Sequence, residues 1–153
     1  MNEHQTRVMG EPSQLPRLTR FLRDFWVTAA LPPEAAHPFE VALEEVFMNV
    51  ATHGAPAGRP AQVAVSLRRD GEELTLQIED DGPAFDPLTL PTPNVYARLE
   101  ERRIGGLGVH LVRQLMDAVS YERDGACNRL RLRKRVARTG AAGVAGTDRN
   151  RVG

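Results

Sequence analysis

The sequence predicts an α+β fold, a two-layer sandwich in which helices cover one face of a mostly antiparallel sheet. Three segments repeat apolar residues at helical spacing, and two pairs of alternating segments each flank an Asp-Gly turn. The chain has 153 residues, of which 41% are hydrophobic, so it can bury the core of one ordinary domain. Neither an internal repeat nor a second domain is expected.

Three helices are predicted from apolar residues at three- and four-residue steps. The second should run from residue 37 or 38 to residue 52, with Gly54 just past its end, where glycine commonly lies. The third should run from about residue 107 to 117. The first should occupy residues 13–30, with an apolar stripe made of Leu15, Leu18, Phe21, Leu22, Phe25, Trp26 and Ala29.

Four strands are predicted as two hairpins. Residues 62–69 and 73–79 alternate apolar and polar side chains around one Asp-Gly pair, and residues 118–123 and 128–135 flank another. The connection at residues 80–106 contains four prolines and little periodicity. Connections of this length inside a compact domain are usually functional.

Both ends of the sequence are expected to lie outside the folded domain, which is predicted at residues 13–135. Residues 1–12 are interpreted as a flexible N-terminus. Residues 136–153 are mainly Gly, Ala and Arg with no apolar side chain larger than valine, so this tail is predicted to be disordered.

Composition excludes several classes of function. Twenty basic and twenty acidic residues give zero net charge, so nothing points to direct nucleic-acid or membrane partners. Cys127 is the only cysteine, which favours a reducing, cytoplasmic setting, and its simplest interpretation is a half-buried strand residue. The four histidines lack the spacing of a transition-metal site, and no apolar run is long enough to span a membrane.

The first candidate site lies on the second helix. Glu45 and Asn49 are about 40° apart on its surface and share a polar edge. A carboxylate can accept a hydroxyl proton, and an amide oxygen one turn later suits Mg²⁺ beside phosphate oxygens. The structural alternative is an ordinary solvated helix face.

The second candidate site begins where a strand ends. Asp80 can accept a hydrogen bond from an exocyclic amine such as that of adenine, and the small residues Gly82 and Ala84 would let backbone approach a ring. The alternative is an ordinary turn.

The third candidate site is a glycine-rich entry to the third helix. Gly105, Gly106 and Gly108 precede or begin this helix, whose free NH groups would suit a triphosphate. The pattern is neither a Rossmann fingerprint nor a Walker A loop. The alternative is a flexible hinge before a core helix.

Taken in order, these three motifs resemble those of the GHKL ATPase superfamily, and within it the anti-sigma-factor serine/threonine kinases of bacterial partner-switching systems. The resemblance covers about residues 15–135 and implies the Bergerat ATP-binding fold. It identifies Glu45 as catalytic base and Asn49 as Mg²⁺ ligand. The remaining ATP-binding positions that it implies are His53, Asp80, Gly82, Ala84, Arg103, Gly105, Gly106, Leu107 and Gly108.

Two positions depart from the family pattern. Ala84 stands where a glycine is usual, and Ile104 stands where an arginine near the γ-phosphate is expected. Arg103 or Arg102 could take the role of that arginine.

The resemblance implies an ATP- and Mg²⁺-dependent serine/threonine kinase whose substrate is a STAS-type anti-sigma-factor antagonist. A sigma factor is an implied second partner, and a homodimer is implied, with the exposed side of the first helix as a candidate interface. The main alternative is a non-catalytic, nucleotide-gated module that sequesters a sigma factor or another regulator. A histidine kinase fragment is less supported, because no earlier helix presents a histidine, and a nucleotide-free structural protein would leave all three motifs unexplained.

Overall fold

The computed structural model describes residues 2–89 and 106–137. Three short 3-10 helices, Pro12–Gln14, Pro33–Ala35 and Pro87–Thr89, lie between the main elements. In chain order the main elements are β1 (Asn2–Met9), α1 (Leu15–Thr28), α2 (His37–His53), β2 (Gln62–Asp70), β3 (Glu73–Asp80), α3 (Gly106–Leu115), β4 (Ala118–Asp124) and β5 (Cys127–Arg135).

The described strands form one antiparallel sheet in the order β1-β2-β3-β5-β4. Both predicted hairpins are present, and their turn glycines, Gly71 and Gly125, have φ of 63° and 61°, values that side chains other than glycine rarely adopt. The second hairpin inserts with β5 beside β3 and β4 at the edge. The prediction of helices on one face of an antiparallel sheet is therefore confirmed.

The core lies between the helices and one face of this sheet. Alternate side chains of β2, β3 and β5 are buried, as the two-residue period of a strand requires, and they meet the apolar stripes of α1 and α2. The largest fully buried side chains include Leu18, Leu22, Phe25, Phe39, Phe47, Leu67, Leu76 and Leu132.

None of the helices among residues 2–89 and 106–137 is both long and apolar enough to cross a membrane.

The N-terminal segment differs from the prediction for residues 1–12. Asn2–Met9 forms an edge strand whose residues pair with β2 along its whole length, from Asn2 opposite Arg69 to Met9 opposite Gln62. Val8 is only 6% exposed within the core. This segment has too few apolar residues for its sequence to predict a strand. The strand is stabilised by its pairing with β2.

The C-terminal boundary also differs by a residue. Val136, which the composition places in the disordered tail, donates its N–H to the carbonyl of Glu72 at 2.8 Å and is 4% exposed. The folded chain therefore continues beyond β5. The rest of the predicted disordered tail, from residue 138 onward, lies outside the described residues.

Candidate nucleotide-binding site

A cavity of about 300 Å³ opens between α2, α3 and the ends of β3 and β5. A mostly apolar pocket with a few convergent polar groups is the usual form of a small-molecule site. The polar groups on its wall are Glu45, Asn49, His53, Asp80, Tyr121 and Asn128. Its apolar wall includes Val46, Val50, Ile78, Pro83, Ala84, Phe85, Leu88, Val109, Val112 and Leu130.

Asp80 is the buried carboxylate of this cavity. It is the last residue of β3 and only 8% exposed. Its Oδ1 accepts the N–H of Gly82 at 2.9 Å and the amide Nδ2 of Asn128 at 3.0 Å. Within the part of the chain that the structure describes, Oδ2 has no hydrogen-bond partner, which leaves an acceptor for a ligand.

Burial raises the pKa of the Asp80 carboxyl above its ordinary value. The hydrogen bonds from Asn128 and Gly82 and the charge of Arg123 oppose this rise in pKa, and the charge of Asp81 adds to it. Desolvation penalises the charged form of a carboxyl group. A carboxylate held in an apolar cavity against this penalty is typical of a functional group.

Gly82 allows the loop after β3 to cross the end of α2. A β-carbon at position 82 would overlap the backbone carbonyl oxygen of Gly54. The small residue thus serves backbone packing here, whereas the sequence suggested only close approach to a ring. Ala84 lines the cavity although it replaces a usual glycine.

Sequence reasoning missed Asn128. It is the second residue of β5, is 7% exposed, and lies opposite Asp80 of β3 and Arg123 of β4. A signal was present, because Asn128 precedes Leu130 and Leu132 on the buried face of its strand, and a buried polar side chain needs partners.

Glu45 and Asn49 both line the cavity from α2, as their helical spacing predicted. Glu45 lies against the first turn of α3, where a β-carbon at position 108 would overlap its Oε2. The glycine at 108 therefore gives the Glu45 carboxylate its space. The acidic group and the positive end of the α3 dipole consequently share one corner of the site.

The start of α3 is the described part of the third motif. Gly106, Leu107 and Gly108 lie in its first turn, where backbone NH groups have no partner within a helix. Arg103 and Gly105 lie outside the described residues, so their predicted roles stay predictions.

The charge of the described cavity wall is negative. Two carboxylates line it, and no lysine or arginine does so within residues 2–89 and 106–137. No cluster of three His, Cys, Asp or Glu side chains suited to a metal occurs among these residues either. A triphosphate bound here would need a cation and backbone amides to balance its charge.

A family model described as the histidine kinase-like ATPase domain matches residues 8–134, and the chain belongs to this family. Serine/threonine-protein kinase BtrW of Bordetella bronchiseptica is 35% identical over 89 residues, which are 58% of this chain and 63% of that protein. Serine-protein kinase RsbW of Listeria innocua is 28% identical over 95 residues, 60% of each. The resemblance inferred from the three motifs is confirmed.

A solved structure shares the fold. The crystal structure of the RsbU and RsbW domains of Rv1364c from Mycobacterium tuberculosis superposes with a TM-score of 0.65 at 11% identity, covering 90% of this chain and 33% of that one. The matched part of the chain spans about three fifths of the length of these curated relatives.

Proposed function

We propose that this chain is an ATP-dependent serine/threonine protein kinase that acts as an anti-sigma regulatory factor. Its substrate would be a STAS-type anti-sigma-factor antagonist. One observation carries the proposal: Asp80, Glu45, Asn49 and the first turn of α3 meet at one cavity, in a chain whose relatives are named serine or threonine kinases.

The base end of the site is Asp80. Its Oδ2 accepts the exocyclic amine of adenine, and the apolar wall encloses the ring. His53, which is exposed at the end of α2, lies on the rim of the same cavity. ATP is thereby oriented with its phosphates toward α3.

The phosphoryl end combines α2 with α3. Amide groups of Gly106, Leu107 and Gly108 donate to phosphate oxygens. Glu45 accepts the proton of the incoming serine or threonine hydroxyl while that oxygen bonds the γ-phosphorus and the bond to the β-phosphate oxygen breaks, releasing ADP. Asn49 would hold Mg²⁺ with phosphate oxygens, and the ion would neutralise charge that the described wall leaves unbalanced. Arg103 or Arg102 would contribute further positive charge toward the phosphates.

The partner assignment comes from the family resemblance of the three motifs. We propose a sigma factor as second partner, a homodimer as the assembly and the cytoplasm as the compartment. The sigma-factor contact can be tested by co-purification, and the homodimer can be tested by size-exclusion chromatography. Both tests are independent of catalysis.

The decisive experiment measures phosphate transfer from radiolabelled Mg-ATP to a candidate antagonist, together with ATP affinity by calorimetry. Glu45→Ala should lower transfer by about 10²- to 10⁴-fold, because general-base assistance is lost, while ATP affinity stays within about threefold. Glu44→Ala is the matched control, because Glu44 is exposed at the preceding position of the same helix.

Asn49→Ala should weaken Mg-ATP binding itself, by roughly tenfold or more, since it removes a metal ligand and not the acceptor's base. Chelation of Mg²⁺ should abolish transfer in the wild type. If the wild type bound ATP and a partner but transferred no phosphate, the nucleotide-gated binding module would replace the kinase. Absence of ATP binding would reject both.

A further inference from the structure

We propose that Asn128 is a positioning residue that gives the cavity its selectivity for an aminopurine. It would act by holding one oxygen of Asp80 and leaving the other for the amino group of the base. This inference rests on the proposed ATP-binding function and adds to it a residue that none of the three motifs contains.

The hydrogen bonds of Asn128 are complete. A side-chain amide has two N–H donors and an oxygen with two lone pairs. Nδ2 donates to Asp80 Oδ1 at 3.0 Å and to the carbonyl of Pro83 at 2.8 Å, and the carbonyl of Gly82 lies farther away, at 3.5 Å. Oδ1 accepts the N–H of Phe85 at 3.2 Å and the hydroxyl of Tyr121.

These partners also determine which way the amide is oriented. The carbonyl of Pro83 can only accept and the N–H of Phe85 can only donate, so exchanging the amide nitrogen and oxygen would break both bonds. An aspartate at this position would lack the N–H donors, and a leucine could make none of these hydrogen bonds. Neither residue could therefore replace the contacts of the Asn128 amide.

The consequence for Asp80 is a carboxylate with fixed orientation. Asn128 and the N–H of Gly82 both bind Oδ1, which prevents the group from rotating freely about its last bond. Of the two carboxylate oxygens, Oδ2 is the one that has no partner among the described residues and can accept from a base. An amino group on the base completes this hydrogen bond, whereas hydrogen at the same ring position leaves a buried acceptor unpaired.

The same side chain shapes the cavity wall. Pro83 and Phe85 line the cavity, and both are attached to Asn128 through backbone atoms. Arg123 also holds this loop, by donating to the carbonyl of Gly82 at 2.9 Å, an oxygen that Asn128 Nδ2 approaches only at 3.5 Å. Loss of Arg123 would loosen the loop without removing the Asn128 contact to Asp80.

The test compares two nucleotides, Mg-ATP and the triphosphate of purine riboside, which has hydrogen in place of the 6-amino group. Calorimetry gives both Kd values for the wild type and for Asn128→Ala. The wild type should prefer ATP by roughly tenfold or more, the size expected for a hydrogen bond to a charged group. In Asn128→Ala most of this preference should disappear, through weaker ATP binding and less than about threefold change for the analogue.

Arg123→Lys is the matched control, because it disturbs the contact to the same loop but keeps the positive charge that lowers the pKa of Asp80. This variant should raise the Kd of both nucleotides by a similar factor, so the ratio of the two Kd values should stay the same. Asn128→Ser, a smaller change, gives the same comparison if Asn128→Ala does not fold.

Outcomes separate the two hypotheses. Failure of the wild type to bind ATP rejects the proposed function and this inference with it. If the wild type prefers ATP and both Asn128 variants retain that preference, or lose affinity for both nucleotides in parallel, Asn128 is only structural and the inference is overturned.

Discussion

The proposed role of Asp80 requires a charged group at a position where ionisation lowers the stability of the fold. The carboxylate is buried among apolar side chains and its raised pKa records the cost of ionising it there. Two donors at Oδ1 reduce this cost without removing it. Under the proposed function this cost would be offset on binding, because a charged acceptor binds an amine more strongly than a neutral one does.

Asp80→Asn should separate binding from folding. The asparagine oxygen can still accept from Gly82 and Asn128, but the charged acceptor is lost, so ATP affinity should fall by about 10- to 100-fold. The ligand-free variant should unfold at the same or a higher temperature than the wild type. Calorimetry and thermal unfolding measure these effects. Equal ATP affinity would contradict the role of Asp80.

The pH dependence of this stability difference has a defined sign. Because the pKa of Asp80 is raised on folding, the native state keeps its proton to higher pH than the unfolded chain does. The contribution of Asp80 to stability is therefore present below its ordinary pKa and falls as pH rises through the folded pKa. The advantage of Asp80→Asn should be larger at pH 7 than at pH 4, as thermal unfolding at both values will measure.

At the scale of elements, two glycines hold the junctions around the cavity for different reasons. An added β-carbon at Gly82 meets the backbone oxygen of Gly54, whereas one at Gly108 meets the end of the Glu45 side chain. Moving a packed backbone segment costs more free energy than moving the end of a flexible side chain. Equal substitutions should consequently have unequal effects.

Gly108→Ala should leave the fold intact, since alanine favours a helix and retains the amide, yet it should displace the Glu45 carboxylate. We expect at least a roughly tenfold loss of phosphate transfer, part of the general-base contribution, with ATP affinity within about threefold. Gly82→Ala, the contrasting variant, should instead lower the free energy of unfolding by about 1–3 kcal/mol. An unchanged transfer rate in Gly108→Ala would mean that the carboxylate does not act from this place.

At the scale of the whole molecule, β1 extends the sheet beyond the domain predicted from sequence. His4 packs edge-on against the ring of Phe25, with centroids 5.1 Å apart, and Val8 lies in the core. The strand therefore joins the sheet to α1. It is part of the stability of the fold although its own sequence is mostly polar.

Val8→Ala tests whether β1 is integral to the domain. Loss of two buried methyl groups should lower the free energy of unfolding by about 2 kcal/mol. Arg7→Ala is the matched control on the adjacent, exposed position and should change it by less than about 0.5 kcal/mol. Denaturant titration measures both, and equal effects would mean that the strand contributes no buried contact.

The sequence alone determined the elements whose signals are local. The Asp-Gly pairs specify tight turns, the apolar stripe specifies the buried side of α1, and the four-residue spacing places Glu45 and Asn49 on one helix edge. These features depend on neighbours within a few residues. The three motifs are therefore recognisable in the linear order of residues, and the family match confirms the resemblance that they carry.

Only the tertiary structure decided how distant strands align. No local sequence pattern in β5 indicates that it pairs with β3, so the position of Asn128 opposite Asp80 could not be predicted. The pairing of β1 with β2 and the burial of Val136 could not be predicted for the same reason. Strand register is selected by the packing of whole faces against the helices, a sum of contacts between residues far apart in sequence. That sum places the amide of Asn128 beside the carboxylate of Asp80.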